Sequence, residues 1–123
     1  MKARLAGVVM IGLGMLGGAP TGNAADMTWP MENQAPFEVE LQFYGRDRNV
    51  VWPGGERVWY IRPHQLIRPT LSCNNGEYIC YGAWRTGDSR TSWGVGRGGT
   101  LGCDTCCFNC VDGTVSGHNL LPH

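Results

Sequence analysis

The chain predicts a small all-β fold stapled by disulfides: a sandwich or partly open barrel of about five to seven short antiparallel strands, with a short cysteine-rich turn or helix near the C-terminus. Three observations carry this reading. Apolar and polar residues alternate with period two in "FEVELQFY" at 37–44, the mark of a strand with one buried face. Turn residues recur about every 8–12 positions, and no window of helical length shows a helical repeat. Six cysteines in 123 residues suit a chain whose core is thin.

The first 24 residues read as a cleavable export signal. Met1-Lys2-Ala3-Arg4 is a short positive start, Leu5 to Pro20 is an apolar run broken by glycines, and Gly22-Asn23-Ala24 sets small residues ahead of a cut before Ala25. The run is too short and too rich in glycine for a stable span, so no membrane insertion is expected after cleavage. The short form fits a bacterial protein sent to the periplasm or secreted. The expected mature chain is an extended lead-in over 25–36, "ADMTWPMENQAP", which shows no periodicity, followed by a single β-domain over 37–123.

Without the leader the chain has eight arginines, no lysine and ten acidic residues, a net charge of −2. That balance offers no broad phosphate-neutralising face, which excludes a nucleic-acid partner of the usual kind. The sequence does not bear on oligomeric state.

In 37–44 the buried face is Phe37, Val39, Leu41 and Phe43, with Glu38, Glu40 and Gln42 expected on a solvated face. "GRDRN" is a turn, "VVWP" a short strand, "GG" another turn and "RVWYIR" a third strand rich in β-formers. Pro63 and Pro69 confine "HQLIR" to an edge or a connection. "TLSCNNGEYICYGAW" at 70–84 predicts a hairpin about Asn75-Gly76, the preferred pair for a type I′ turn. Its register would set Cys73 opposite Tyr78 and Leu71 opposite Cys80. A turn at "TGDSR" would fold "SWGVG" back onto "YGAW" and pair Trp84 with Trp93. "VDGTV" is a last turn and strand before a frayed tail.

The run "GCDTCCFNC" at 102–110 holds four of the cysteines. Read as a metal site, its ligands would be Cys103, Cys106, Cys107 and Cys110, binding zinc or copper. The two Cys-x-x-Cys knuckles abut, however, and one tetrahedral ion cannot easily take both; export also favours oxidation. A redox pair of the thioredoxin kind would need a helix N-terminus inside a βαβ frame, and the chain shows none. As staples the four sit at i, i+3, i+4 and i+7, one face of a short helical turn. At most two bridges can run to Cys73 and Cys80, and the remaining two cysteines must then pair locally or stay free. The alternative links Cys73 to Cys80. No cofactor is expected.

"GVGRGG" matches a dinucleotide fingerprint at Gly94, Gly96 and Gly99 but lacks the strand–helix context, so it reads as a loop. His64, His118 and His123 are scattered, and no catalytic arrangement stands out. Aromatic residues interleave with arginine in the manner of binding surfaces, and Trp52, Trp59, Tyr60, Trp84, Arg85 and Trp93 are the candidates for contact. About half of the aromatics should serve the core instead. The function expected is therefore an exported, disulfide-stabilised binding module for a protein surface or an extracellular glycan. A periplasmic metal- or thiol-handling protein using the cysteine run is the alternative, and a small secreted hydrolase or toxin is a third.

Overall fold

The alternating stretch at 37–44 becomes the central strand. In the computed structural model, which describes residues 24–115 and 119–121, twelve strands run in chain order: β1 (Ala24–Thr28), β2 (Met31–Asn33), β3 (Val39–Gly45), β4 (Val50–Trp52), β5 (Trp59–Ile61), β6 (Leu66–Ile67), β7 (Thr70–Asn74), β8 (Tyr78–Arg85), β9 (Asp88–Gly94), β10 (Cys107–Asn109), β11 (Gly113–Thr114) and β12 (Asn119–Leu121). The expected signal over 1–24 lies outside the described residues except for Ala24, as do His118 and His123.

The class is all-β, as the sequence predicts, arranged as three sheets that do not close into a barrel. Strands outnumber the expected five to seven because prolines and glycines cut them into short pieces, several of only two or three residues. β3 and β8 form the antiparallel heart of a six-stranded sheet, from Val39 opposite Arg85 to Gly45 opposite Ile79. The free edge of β3 is shared by β5 and β4; that of β8 is shared by β9 and β10. Two small sheets, β11-β1-β7 and β12-β2-β6, each include one parallel pair. The tail expected to fray thus supplies β12 against β2.

The segment 25–36, expected to be a lead-in without periodicity, is the largest correction. Ala25, Met27, Trp29, Met31, Asn33 and Ala35 are all buried, an alternation within β1 and β2 that Pro30, also buried, interrupts only between the two strands. Methionine and asparagine at inward positions mask that pattern in the sequence. Trp29 sits at the centre, with ring centroids 4.8 Å from Phe43, 5.2 Å from Phe108 and 6.4 Å from Tyr81. Asn33 is buried without cost because its amide is fully used: Nδ2 donates to the carbonyls of Phe37 (2.8 Å) and Ile61 (2.9 Å), and Oδ1 accepts from the Ala35 N–H. It ties β2 to the entry of β3 and the exit of β5.

The predicted hairpin at 70–84 does not form. β7 pairs with β1, setting Cys73 opposite Ala25, while β8 pairs with β3. A type I′ turn needs positive φ at both central residues. Here only Gly76 has it (φ 87°), with the Glu77 N–H bonded to the Asn74 carbonyl, so the turn leads the chain out of one sheet and into another. The return of β9 onto β8 is as expected, with Ala83 opposite Trp93, but Trp84 faces Ser92 and the Trp84–Trp93 pair is absent.

The cysteine run makes no helical turn. Residues 101–106 are irregular and Cys107–Asn109 is β10, because Asp, Thr and Cys favour helix weakly and Cys107 is held on the β8 edge opposite Cys80. The bridges are Cys73–Cys110, Cys80–Cys107 and Cys103–Cys106, with no free cysteine. Two staples therefore reach Cys73 and Cys80 and the remaining pair closes locally, although Cys73 and Cys80 belong to different sheets. Three intramolecular disulfides suggest an oxidising, extracellular or periplasmic environment.

Candidate functional site

Residues directly opposite in an antiparallel sheet share a face, so register alone sorts the side chains of β3 and its neighbours. Leu41, Phe43, Ala83, Tyr81 and Ile61 point into the core with Trp29. On the other face Glu40 stands between Tyr60 of β5 and Trp84 of β8, giving a cross-strand row Tyr60–Glu40–Trp84. Gln42 and Tyr44 continue that face along β3.

This second face is not the solvated strand surface the sequence suggests. Gln42 is 7% exposed and Tyr44 6%. Two loops fold over it and are fastened by the polar side chains themselves. On one side the Gln42 amide donates to the Arg57 carbonyl at 2.7 Å. On the other, the Gly98 N–H donates to the Tyr44 hydroxyl (2.9 Å) and Arg46 Nη1 donates to the Gly99 carbonyl (2.8 Å). The Tyr44 hydroxyl in turn donates to Gln42 Oε1 at 2.7 Å, linking both loops through one chain of bonds. Gly82 allows the close approach: a Cβ there would run into the Gly96 carbonyl and lie 2.9 Å from the Tyr44 ring.

Between these loops lies an open cavity of about 770 Å³. Its floor is Glu40, Gln42, Tyr44 and Trp84; Tyr60 and Glu56 stand at one wall, and Arg46 and the Arg97–Gly99 turn at the other. Glu40 Oε1 accepts from the Trp84 indole N–H at 3.1 Å, and the Arg97 guanidinium lies 5.9 Å from the Trp84 ring centre. Burial raises the Tyr44 pKa, partly offset by the Gly98 N–H and the nearby Arg97 and Arg46 charges, so the phenol is neutral and donates its proton at physiological pH. The lining pairs acids with guanidinium groups and has no dominant sign of charge.

Of the six contact candidates, two reach this cavity. Tyr60 is 58% exposed at its wall and Trp84 is buried in its floor. Trp52, Trp59 and Trp93 lie on the core side as partly buried margins: Trp59 packs edge-on against Phe43, and Trp93 stacks on Phe37 at 6.1 Å. Arg85 sits over the Phe37 ring at 4.5 Å, away from the cavity. The polar residues of the site, Glu40, Gln42, Tyr44 and Arg97, escaped the sequence reading. The alternation at 37–44 marks Glu40, Gln42 and Tyr44 only as facing away from the core, and the loops that cover them leave no mark in it.

The four cysteines considered as metal ligands are not gathered as a set, because Cys110 is bridged to Cys73. The sulfurs that do cluster are those of Cys80, Cys106 and Cys107, all within 4.8 Å of one another.

The fold and cavity define a disulfide-stapled all-β domain with one covered polar sheet face. Comparison with protein-family models, curated proteins and solved structures returns no match.

Proposed function

We propose that the protein is an exported binding module whose cavity takes a neutral, polyhydroxylated ligand of the glycan class. The row Tyr60–Glu40–Trp84 carries the reading. An exposed phenol ring offers an apolar plane for the C–H face of a sugar ring. Beside it stand planar groups suited to neighbouring hydroxyls: a carboxylate at Glu40 and a guanidinium at Arg97. The mixed charges of the lining suit a neutral ligand better than an anion, and a mostly polar site suits a sugar better than an apolar molecule.

Neutral oligosaccharides of the cello-, chito-, malto- and xylo- series, titrated into the protein and followed by amide chemical shifts and tryptophan fluorescence, test this. The expected result is a series that perturbs residues 40–46, 60 and 84 and loses at least about tenfold in affinity in Glu40→Gln. A panel that leaves those residues unmoved overturns the glycan reading.

A further inference from the structure

The three disulfides differ in exposure and reach, and the difference falls on the sulfur cluster. Cys73 and Cys110 are buried, and their bridge spans a sequence separation of 37. Cys80–Cys107 spans 27 and lies between directly opposed residues of β8 and β10. Cys103–Cys106 spans only 3, and the residues flanking Cys103, namely Gly102, Asp104 and Thr105, are exposed. Its two ends face different surroundings. Cys103 is half-buried, whereas Cys106 is fully buried, with its Sγ 3.8 Å from the Cys107 Sγ. The Cys80 Sγ completes the cluster within 4.8 Å. Two bonds thus lie in sulfur–sulfur contact, one of them with an approachable end.

We infer that this cluster is a thiol–disulfide exchange site: an external dithiol enters at Cys103, and Cys106 relays the exchange to the Cys80–Cys107 bond. In the first step a thiolate of the dithiol attacks Cys103 Sγ. The Cys103–Cys106 bond breaks, a mixed disulfide forms at Cys103, and the electron pair leaves on Cys106 Sγ. In the second step Cys106 Sγ attacks the Cys80–Cys107 bond, forms a bond to one of its two sulfurs and expels the other as a thiolate, which takes up a proton. The second thiol of the dithiol then attacks the mixed disulfide, so that the dithiol leaves oxidised and Cys103 is left as a thiol. The balance is one dithiol oxidised and one protein disulfide reduced, with the new thiols at Cys103 and at Cys80 or Cys107. Cys73–Cys110 takes no part, because both of its sulfurs are buried and none belongs to the cluster.

Selectivity for entry follows from exposure: Cys103 is half-buried between exposed neighbours, whereas both sulfurs of Cys73–Cys110 are buried, so the short bridge should open first under limiting reductant.

The test is limited reduction of the intact protein with one equivalent of dithiothreitol, rapid alkylation and peptide mapping. The expected product carries label at Cys103, with the second label spread over Cys106, Cys80 and Cys107 and with Cys73–Cys110 intact. Opening of Cys73–Cys110 first, or of all three bridges together, overturns the assignment. So does a second label confined to Cys106, which would show entry without relay. The variant Cys103→Ser checks the relay without any reductant. Its single thiol should distribute among Cys106, Cys80 and Cys107, and a thiol found on Cys106 alone refutes the exchange. If that variant does not fold, the wild-type mapping decides the matter by itself.

Discussion

The two faces of β3 share one backbone and end in opposite conditions. Val39, Leu41 and Phe43 are fully buried beneath Trp29 and the two small sheets. Glu40, Gln42 and Tyr44, one residue out of phase, are covered by loops and border a cavity. The first face is closed by apolar packing, which stabilises in proportion to the area removed from water. The second is closed by a few side-chain-to-backbone hydrogen bonds, each worth about 1 kcal/mol net. Stability therefore concentrates on the core face, leaving the polar face the freedom a binding site needs.

The core face should break hardest. Trp29→Ala removes the ring that touches Phe43, Tyr81 and Phe108, and should cost about 3–5 kcal/mol. In a domain of this size that lowers the melting temperature by more than about 10 °C. Trp29→Phe should cost less, because the indole N–H is buried without a hydrogen-bond partner among the described residues. A melt of Trp29→Ala within a few degrees of wild type would show that β1 and β2 contribute little to the core.

The disulfides give the next contrast. Replacing Cys73 and Cys110 together by alanine should cost about 4 kcal/mol, and replacing Cys103 and Cys106 about 2, from the loops of 37 and 3 residues they close. Denaturant melts of the two double variants measure the order, and equal losses would rule out the chain-entropy account.

An intermediate effect belongs to Glu77, at the turn where β7 leaves one sheet and β8 enters the other. Glu77 is 4% exposed, and its carboxylate takes a two-point ion pair from Arg48 (2.7 and 2.9 Å) as well as the Asn74 N–H at 3.0 Å. Burial alone would raise its pKa, but the Arg48 hydrogen bonds and the Asn74 N–H outweigh it and hold the carboxyl below its ordinary value. Its stabilising contribution is therefore complete above the ordinary carboxylate range, about pH 4–5, and is lost as pH falls through the lower folded value. Glu77→Gln should cost about 1.5–3 kcal/mol near neutral pH. The gap from wild type should narrow in acid, and urea melts across that range that show a constant gap would reject the electrostatic origin.

How much of this contrast could be read in advance depended on what each signal measures. The alternation at 37–44 reported the core face of β3 directly, because Val, Leu and Phe leave no doubt about which side is wet. It misreported the other side, since the alternation says which residues avoid water and is silent on what loop lies over the polar ones. At 25–36 the same period was hidden by Met27 and Met31, which are buried in the core, and by Asn33, whose burial depends on its hydrogen-bonded amide. Asn75-Gly76 indicated a turn but not its type, and the type decided whether β7 and β8 paired. The cysteine spacing allowed at most two bridges from the run to Cys73 and Cys80, with the other pair local or free, and left a Cys73–Cys80 link open as the alternative. It could not show that the local pair would lie against a second disulfide.

The smallest effect on stability should come from Tyr60, and it separates the two faces most cleanly. Its ring is 58% exposed and occupies the cavity wall beside Glu40, so Tyr60→Ala removes little buried surface. The expected change in stability is within about 0.5 kcal/mol, the usual range for a surface substitution. Trp59, its neighbour in β5, points the other way onto Phe43 at 5.6 Å, and Trp59→Ala should cost several times more. In ligand binding the order should reverse, because Trp59 does not line the cavity and Tyr60 does. Paired melts and oligosaccharide titrations of the two variants measure both quantities on adjacent residues of one strand. If Tyr60→Ala loses stability as Trp59→Ala does, or if both bind as wild type, the division of labour between the faces of this sheet is wrong.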